Sequence, residues 1–230
     1  AALFKQVYAI SPTFRDEQDS ANHLVEFRML EIEALGLTFA ELPALIEHFI
    51  IFLLKELAAS EIVRENLTLI RRISLLLETF HPQTVCYNDF ILEIPHLGGP
   101  ELKFGTDVSD LDYEVSKFLR RPVFIADYPR RLASWTAKPQ NNDYALALNL
   151  LLPDTYGELC EGCERTNDVE LLRYKMHCAG INCLQWYLDA IGQITVPRCG
   201  FGIGVDRLVR WIIGLTRVQD SVLFPRTKSE

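Results

Sequence analysis

The feature that most limits the fold of this chain lies near its C-terminal end, where three alternate glycines lead into a charged pair. Gly200, Gly202 and Gly204 are followed by Asp206 and Arg207, and then by apolar residues at helical spacing. Alternate glycines suit a strand whose backbone lies close to a ligand or to another strand, where a Cβ would collide. The pattern predicts a strand that runs directly into an amphipathic helix.

Arg207 is expected in the first turn of that helix. The free amide groups and the dipole of a helix N-terminus favour an anion there. A guanidinium group can bind two phosphate oxygens at once, which an ammonium group cannot do. The alternative is a strand packed tightly against a helix, with Arg207 in an ordinary ion pair, because glycine motifs alone do not decide function.

A second candidate segment lies near the start of the chain. Residues 14–27 read FRDEQDSANHLVEF and stand between two alternating segments, 7–10 and 24–33. This arrangement predicts two antiparallel strands joined by a long connection.

The side chains of this second segment suit a nucleotide. Arg15 and Glu17 share one strand face, since side chains alternate along a strand, and could hold a phosphate and a base edge. His23 is a further candidate for phosphate contact, and Phe27 offers a flat surface for a purine. The alternative is a solvated hairpin with an Arg–Glu ion pair.

Together the two segments resemble motifs 2 and 3 of the class II aminoacyl-tRNA synthetases. The detail is closest to the asparaginyl enzymes and their asparagine-synthetase-like relatives. The residues that carry the resemblance follow the family's order and spacing, and they are 12–17, 23–27, 157–159, 200–207 and 220–226. The resemblance implies one catalytic domain over residues 1–230. Its fold would be α+β, an antiparallel β-sheet flanked by helices, of the class II synthetase and biotin-ligase type.

The resemblance also implies a reaction, in which an amino-acid carboxylate attacks the α-phosphate of ATP to give an acyl-adenylate and pyrophosphate. The catalytic residues that the resemblance implies are Arg15, Arg207 and Glu158. The expected contacts with ATP, and with magnesium through Glu158, are made by Arg15, Glu17, His23, Phe27, Glu158, Gly204 and Arg207. Within this set Arg15 takes the α-phosphate and the substrate carboxylate, and Glu17 takes the adenine amino group. Phe27 and Arg207 enclose the adenine, and Arg207 also reaches the γ-phosphate.

Two further residues are implied to bind the side chain of the amino acid, Glu31 and Arg165. A planar guanidinium group suits a polar side chain. A carboxylate accepts from an amide nitrogen but repels a second carboxylate, so Glu31 favours asparagine over aspartate.

The chain departs from the family pattern at four places near the expected site. Asn149 replaces an aspartate, which weakens a metal site, and Asn22 replaces an arginine that contacts phosphate. The segment 161–163 reads Glu-Gly-Cys where the family has Gly-Gly-Ser, and Thr166 replaces a glutamate. The segment 161–163 therefore adds bulk and charge beside the substrate.

Three functions remain open from the sequence. The first is an asparaginyl-tRNA synthetase core, which activates asparagine or an aspartate-like amino acid and passes the acyl group to tRNA. The second is a tRNA-independent relative, such as an ammonia-using asparagine synthetase or another amide ligase. The third is a non-catalytic binding or regulatory relative. The family's motif 1 and anticodon-binding domain are not found among these residues, and a homodimer is expected if motif 1 exists upstream.

Composition fits a globular domain with an acidic surface. The chain has 230 residues, is 49% hydrophobic and carries a net charge of −8, which argues against a broad nucleic-acid surface while leaving room for a local basic patch. With no apolar run long enough to span a bilayer, we expect a soluble, cytoplasmic protein without a membrane partner.

The six cysteines are expected to be thiols in a cytoplasmic protein. Cys160 and Cys163 form a C-x-x-C pair, and Cys178, Cys183 and Cys199 follow, which could supply a zinc site. These spacings match no standard zinc finger, so thiols are the stronger interpretation.

The remaining pattern predicts alternating elements. Helices are expected at 38–57, with a capping box from Thr38 to Glu41, at 60–80, and at 110–119. Residues 81–106, with their prolines and glycines, are expected to be irregular. Strands are expected at 121–128, 143–153 and 156–163.

Overall fold

A seven-stranded sheet organises the part of the chain that the computed structural model describes, residues 4–15 and 23–226. Its strand order is β1-β2-β7-β6-β5-β4-β3. Neighbouring strands are antiparallel except β3 and β4, which are parallel. The strands are β1 Gln6–Phe14, β2 Glu26–Leu35, β3 Gln83–Cys86, β4 Val123–Pro129, β5 Tyr144–Leu152, β6 Gly157–Glu164 and β7 Arg198–Gly204. The predicted α+β fold with an antiparallel sheet is confirmed, with one parallel pair at the edge.

Helices flank this sheet. Short 3₁₀ turns at Phe39–Glu41, Ser109–Leu111 and Val218–Ser221 adjoin some of them. The α-helices among the described residues are α1 Leu42–Ala59, α2 Glu61–Arg64, α3 Leu67–Thr79, α4 Tyr87–His96, α5 Asp112–Ser116, α6 Val169–Cys178, α7 Gln185–Ile191 and α8 Val205–Ile213. Within residues 4–15 and 23–226, no helix combines the length and apolar character that crossing a bilayer requires.

The two faces of the sheet bury different cores. On one face, α1 presents a stripe four residues apart, in which Leu42, Ile46 and Ile50 are fully buried together with Leu148 of β5. On the other face, α4 and α5 cover β3, β4 and the adjoining part of β5, where Ile125 is buried. Side chains alternate along a strand, so consecutive residues of β4 and β5 feed different cores. Among the described residues of β2, β6 and β7, only Cys163 belongs to this second core, so their part of this face is less covered.

The helix predicted over 38–57 lies within two residues of the observed bounds. It starts with the 3₁₀ turn and continues through α1, and the predicted capping box is present, since the Thr38 amide donates to the Glu41 carboxylate at 3.0 Å. The strands expected at 121–128, 143–153 and 156–163 correspond to β4, β5 and β6. The glycine run forms β7 and passes directly into α8, as expected.

The prediction of one helix over 60–80 is wrong, because the segment contains two. Ser60 caps α2, as expected, but α2 ends at Arg64. Asn66 then caps α3, and its side-chain oxygen accepts from the amides of Thr68 at 3.1 Å and Leu69 at 3.0 Å. Because an asparagine in this position satisfies helix-start amides, the chain restarts rather than continues.

The prediction that 81–106 is irregular is also wrong over its first half. Residues Gln83–Cys86 form β3 and Tyr87–His96 form α4. Pro95 is the penultimate residue of α4, so the helix is almost complete before the proline. The helix expected at 110–119 is shorter, since a 3₁₀ turn leads into α5, which ends at Ser116.

Candidate active site

A cavity of about 670 Å³ opens on the face of the sheet that the helices leave uncovered. Gly202 and Gly204 of β7 contribute to its lining, because residues without side chains leave space above the strand. β2 and β6 lie on either side of β7. The predicted site residues that line the cavity are Arg15, His23, Phe27, Glu31, Glu158, Arg165, Gly204 and Arg207. Predicted residues from both ends of the chain therefore meet in one place.

Arg15 and Phe27 lie together at one end of this cavity. The hydrogen-bonded pairing of β1 with β2 places Thr13 opposite Phe27. The guanidinium carbon of Arg15 then stands 5.2 Å from the centre of the Phe27 ring, within the range of a cation–π contact. Glu17 and Asn22 lie outside the described residues.

Arg207 reaches the same cavity from the first turn of α8. Its Nη1 donates to the backbone oxygen of Glu158 at 2.7 Å and pairs with the Asp112 carboxylate at 3.3 Å. Asp112 is buried, and it also accepts from the Glu158 amide at 2.9 Å. Asp112 therefore fixes Arg207 and the start of β6 to one another.

The start of α8 is fixed a second time through Asp206. This buried carboxylate accepts from the Arg28 side chain at 2.6 Å and from the Arg28 backbone amide at 2.8 Å. The contact joins α8 to β2, so the elements carrying Arg207 and Phe27 keep a set spacing.

Glu158, the predicted magnesium ligand, lies in a hydrogen-bonded cluster. Its Oε2 accepts from Ser109 Oγ at 2.5 Å and from Asn149 Nδ2 at 2.6 Å. Burial raises the pKa of Glu158 to about 7, against the opposing effect of Arg207.

The residues present fit magnesium with a single protein carboxylate. Within residues 4–15 and 23–226 there is no group of three or more His, Cys, Asp or Glu side chains that could hold a metal ion. Magnesium at ATP sites needs only one or two carboxylates, because substrate phosphates complete the shell. Glu158 meets this minimum, whereas Asn149 adds no negative charge.

Arg165 is held at the opposite end of the cavity. Its Nε donates to Glu33 at 2.9 Å, and its Nη1 donates to Thr136 Oγ1 at 2.9 Å and to Cys163 Sγ at 3.0 Å. The Glu33–Arg165 pair lies across Gly200, where an added Cβ would be 2.8 Å from Arg165 Nη2. Gly200 therefore makes room for the pair.

Two carboxylates stand on either side of Gly202. Glu31 of β2 and Glu161 of β6 are both paired with Gly202 in the sheet register. Residues directly opposite one another in an antiparallel pair share a face, and both side chains line the cavity. The end of the cavity that contains Arg165 thus combines one guanidinium group with two carboxylates.

Comparison with known proteins assigns the chain to a family. The family described as tRNA synthetases class II (D, K and N) matches residues 1–228. The asparagine–tRNA ligase of Thermus thermophilus is 35% identical over 242 residues, covering 98% of this chain and 54% of that protein.

The chain belongs to the class II tRNA synthetases of the D, K and N type.

Solved structures of class II synthetases agree with this membership. Asparaginyl-tRNA synthetase from Pyrococcus horikoshii, complexed with asparaginyl-adenylate, is 28% identical with a TM-score of 0.80, and the match covers 98% of this chain and 53% of that one. The Entamoeba histolytica asparaginyl-tRNA synthetase is 22% identical with a TM-score of 0.85, over 98% of this chain and 53% of that one, and shows the shared fold. The class II chain thus spans about half the length of these relatives.

Three residues of this class II site were missed from the sequence. Asp112, Ser109 and Glu33 contact Arg207, Glu158 and Arg165, respectively. None lies within a recognised motif. Buried charges need a partner, so the sequence indicates that Arg207, Glu158 and Arg165 have partners. It does not indicate which residues these partners are.

The cysteines of the class II domain are free thiols that differ in burial. Cys160, Cys163 and Cys199 are buried, while Cys178 and Cys183 are exposed, and all of them are free thiols. Burial raises the pKa of the Cys163 thiol. Cys163 stands where a serine was expected, and its sulfur accepts from Arg165 as a serine oxygen would.

Proposed function

We propose that this class II domain activates asparagine with ATP as an asparaginyl-adenylate, and that the whole protein transfers the acyl group to tRNA. The observation that carries the proposal is that Arg15 and Arg207, from opposite ends of the chain, line one cavity with Phe27, Glu158 and Arg165. The likeness to asparaginyl-tRNA synthetases supports the choice of reaction.

The nucleotide occupies the end of the cavity that contains Phe27, Arg15 and Arg207. Adenine stacks on the Phe27 ring and is enclosed by Arg207, and Glu17 accepts from its amino group. Arg15 neutralises the α-phosphate and orients the substrate carboxylate for attack. His23 contacts the phosphates. Such a reaction needs no protein nucleophile, because positioning and charge neutralisation suffice.

Arg207 is rigid before any ligand arrives. Its contacts with Asp112 and the Glu158 backbone fix the guanidinium group, so less side-chain entropy is lost when the nucleotide binds. Magnesium held by Glu158 and the phosphates would add positive charge that neutralises the triphosphate.

The amino acid occupies the end that contains Glu31 and Arg165. Arg165 donates to the side-chain carbonyl of asparagine, and Glu31 accepts from its amide nitrogen. Aspartate would place a second carboxylate beside Glu31, which costs free energy in an enclosed site. The site is therefore expected to select asparagine.

The decisive experiment is ATP–pyrophosphate exchange with each amino acid in turn. We expect exchange with asparagine, and we expect Arg15→Ala to lower it by about 100-fold or more, because a charge contact at the reacting phosphate is lost. Arg121→Ala is the matched control, since Arg121 is exposed and does not line the cavity. Full exchange by the Arg15 variant would remove the central role of this arginine.

A second candidate is a tRNA-independent amide ligase that uses the same adenylate with ammonia as acceptor. The net charge of −8 favours it, because tRNA binding depends on positive surface charge. A gel shift with tRNA, together with exchange assays in the presence of ammonia, separates the two functions. A folded chain without exchange activity for any amino acid would instead indicate a non-catalytic relative.

The assembly and location are part of the same proposal. A homodimer accords with the exposed apolar side chains of Tyr8 and Ile10 on the edge strand β1. A cytoplasmic location accords with tRNA as acceptor. Size-exclusion chromatography with light scattering tests the first expectation, and cell fractionation tests the second.

A further inference from the structure

Glu161 is a cavity carboxylate without an assigned role. It lies at the middle of β6, and its side chain is open to the cavity rather than packed in a core. Its carboxylate accepts no hydrogen bond from any side chain in residues 4–15 and 23–226. Because the side chain is exposed to the cavity, its negative charge is hydrated in the free protein and is available to a cationic group that enters the cavity.

The charges around Glu161 show where that ligand group must lie. Arg165 and Arg15 line the same cavity as Glu161. Desolvation against the cavity wall raises the pKa of the Glu161 carboxyl group, while both guanidinium groups lower it less strongly. In the proposed function Arg15 orients the substrate carboxylate and Arg165 reads the substrate side chain. Glu161 is thus near both groups that hold the amino acid.

An α-amino acid carries one more charged group, and its position is set by covalent structure. The α-ammonium is attached to the carbon that joins the carboxylate to the side chain. A substrate held by Arg15 at one point and by Arg165 at the other therefore presents its ammonium between them. Gly202 places no side chain of its own between Glu161 and Glu31, and the flexible end of the Met29 side chain lies over it.

We propose that Glu161 binds the α-ammonium group of the amino-acid substrate. This inference rests on the proposed function and deepens it, since it identifies the carboxylate that distinguishes an α-amino acid from a simple carboxylic acid. Glu31 is left to the side-chain amide, so the two carboxylates on either side of Gly202 read different parts of one substrate.

The test compares asparagine with succinamic acid, which has the same amide side chain and carboxylate but no α-amino group. Binding of each is measured by isothermal titration calorimetry in the presence of a non-hydrolysable ATP analogue and magnesium. For the native chain we expect asparagine to bind about 10- to 100-fold more tightly, as a charge-assisted hydrogen bond predicts. In Glu161→Gln the affinity for asparagine falls by a similar factor, while that for succinamic acid changes by less than about threefold.

Glu31→Gln is the matched control, because it removes the other carboxylate beside Gly202. It should weaken asparagine and succinamic acid equally, since both carry the amide that Glu31 reads. Glu161→Asp keeps the charge on a shorter arm and should retain part of the preference for asparagine, which also covers the case in which Glu161→Gln does not fold.

The outcomes separate this inference from the proposed function. Equal losses for both ligands in Glu161→Gln, or no loss for either, would overturn the role of Glu161 even if native exchange activity is present. Native binding that prefers asparagine, with the expected Glu161 effect but without pyrophosphate exchange, would uphold the binding role and overturn the catalytic proposal. A native chain that binds neither ligand overturns both.

Discussion

At the scale of single residues, the site stabilises the charged form of the Glu158 carboxyl group poorly. Two donors, Ser109 and Asn149, satisfy one of its oxygens, yet both are neutral. The positive charge nearest to it, on Arg207, is shared with Asp112. Burial therefore dominates, and the pKa rises from 4.5 to about 7.

The raised pKa of Glu158 predicts the direction in which Glu158→Gln changes the free energy of unfolding. Because the folded pKa is above the unfolded value, native stability is highest below about pH 4.5 and falls as the pH rises through about 7. The glutamine variant has no such loss, so it should be the more stable protein at pH 8. The gain has a ceiling of roughly 3 kcal/mol, since each pKa unit is worth about 1.4 kcal/mol.

Urea unfolding at pH 5 and pH 8 measures this difference. The stabilisation by glutamine should be largest at pH 8 and should shrink toward pH 5. Ser109→Ala removes one donor without removing the charge and should change stability in the opposite direction at pH 8. A glutamine variant whose advantage grows on acidification would contradict the sign.

The end of the cavity that contains Arg165, which is the proposed amino-acid site, offers a second test at a single residue, Gly200. An alanine there would collide with the Glu33 carboxylate and stand 2.8 Å from Arg165 Nη2. The pair can move, since it consists of side-chain ends, but Arg165 then leaves its position. We expect Gly200→Ala to raise the KM for the amino acid by about 10-fold, and to leave the KM for ATP nearly unchanged.

Gly204→Ala is the matched control in the same strand. An alanine Cβ there meets no atom closer than 3.5 Å, and the nearest side chain is that of Arg207, in the proposed nucleotide site. This variant should leave the KM for the amino acid unchanged, whatever its effect on ATP. Equal effects of both variants on the two KM values would show that the strand, not the Glu33–Arg165 pair, is disturbed.

The sequence predicted the motif residues of the site but not their hydrogen-bond and ion-pair partners. Arg15, Phe27 and Arg207 could be placed, because each lies in a short segment with its own pattern. Their partners are distant in sequence, since Asp112 and Arg207 are 95 positions apart and Glu33 and Arg165 are 132 positions apart. No local pattern encodes such pairs, since they exist only after the sheet has formed.

At the scale of elements, capping decided where helices begin. The apolar spacing of 60–80 is continuous enough to predict one helix, but the side chain of Asn66 satisfies two amides of α3 and starts a new helix. Periodicity reports which face is buried, whereas capping reports where a helix starts. The helix α4 was not predicted from the sequence, because the proline at position 95 indicated a loop. Pro95 lies instead in the last turn of the helix.

Asn66→Ala tests the energetic value of this cap. Removing the side-chain acceptor leaves the amides of Thr68 and Leu69 without their partner, which should cost about 1 kcal/mol. For a chain of this size the loss corresponds to a fall in Tm of roughly 2–4 °C. Differential scanning calorimetry measures it, and Asn66→Asp, which keeps the acceptor, should lose little. If alanine and aspartate were equally damaging, the cap would not be the cause.

At the scale of the whole molecule, the two ends of the described chain meet beside the cavity. The Val25 amide donates to the Arg226 carbonyl at 3.3 Å, and Gln219 Nε2 donates to the His23 carbonyl at 3.4 Å. The Arg226–Glu26 ion pair at 3.0 Å is largely exposed, so it contributes little alone. A ligand that contacts residues of both ends therefore adds a link that these weak contacts do not provide.

The last prediction is that ATP with magnesium stabilises the entire fold, because the cavity is lined by Arg15, which follows β1, and by residues of β2, β6, β7 and α8. A ligand at 100 times its Kd adds about 2.7 kcal/mol to the free energy of unfolding. This corresponds to a rise in Tm of roughly 5–10 °C for a domain of this size. Differential scanning fluorimetry with and without nucleotide measures the shift within each variant, so that any change in intrinsic stability cancels. Arg207→Ala should lose most of the shift, since in the proposed function its guanidinium group encloses the adenine and reaches the phosphates. Arg121→Ala, which removes an exposed arginine outside the cavity, should keep it. If the Arg207 variant kept the full shift, the nucleotide would bind without the start of α8, and the convergence of the two chain ends would be structural only.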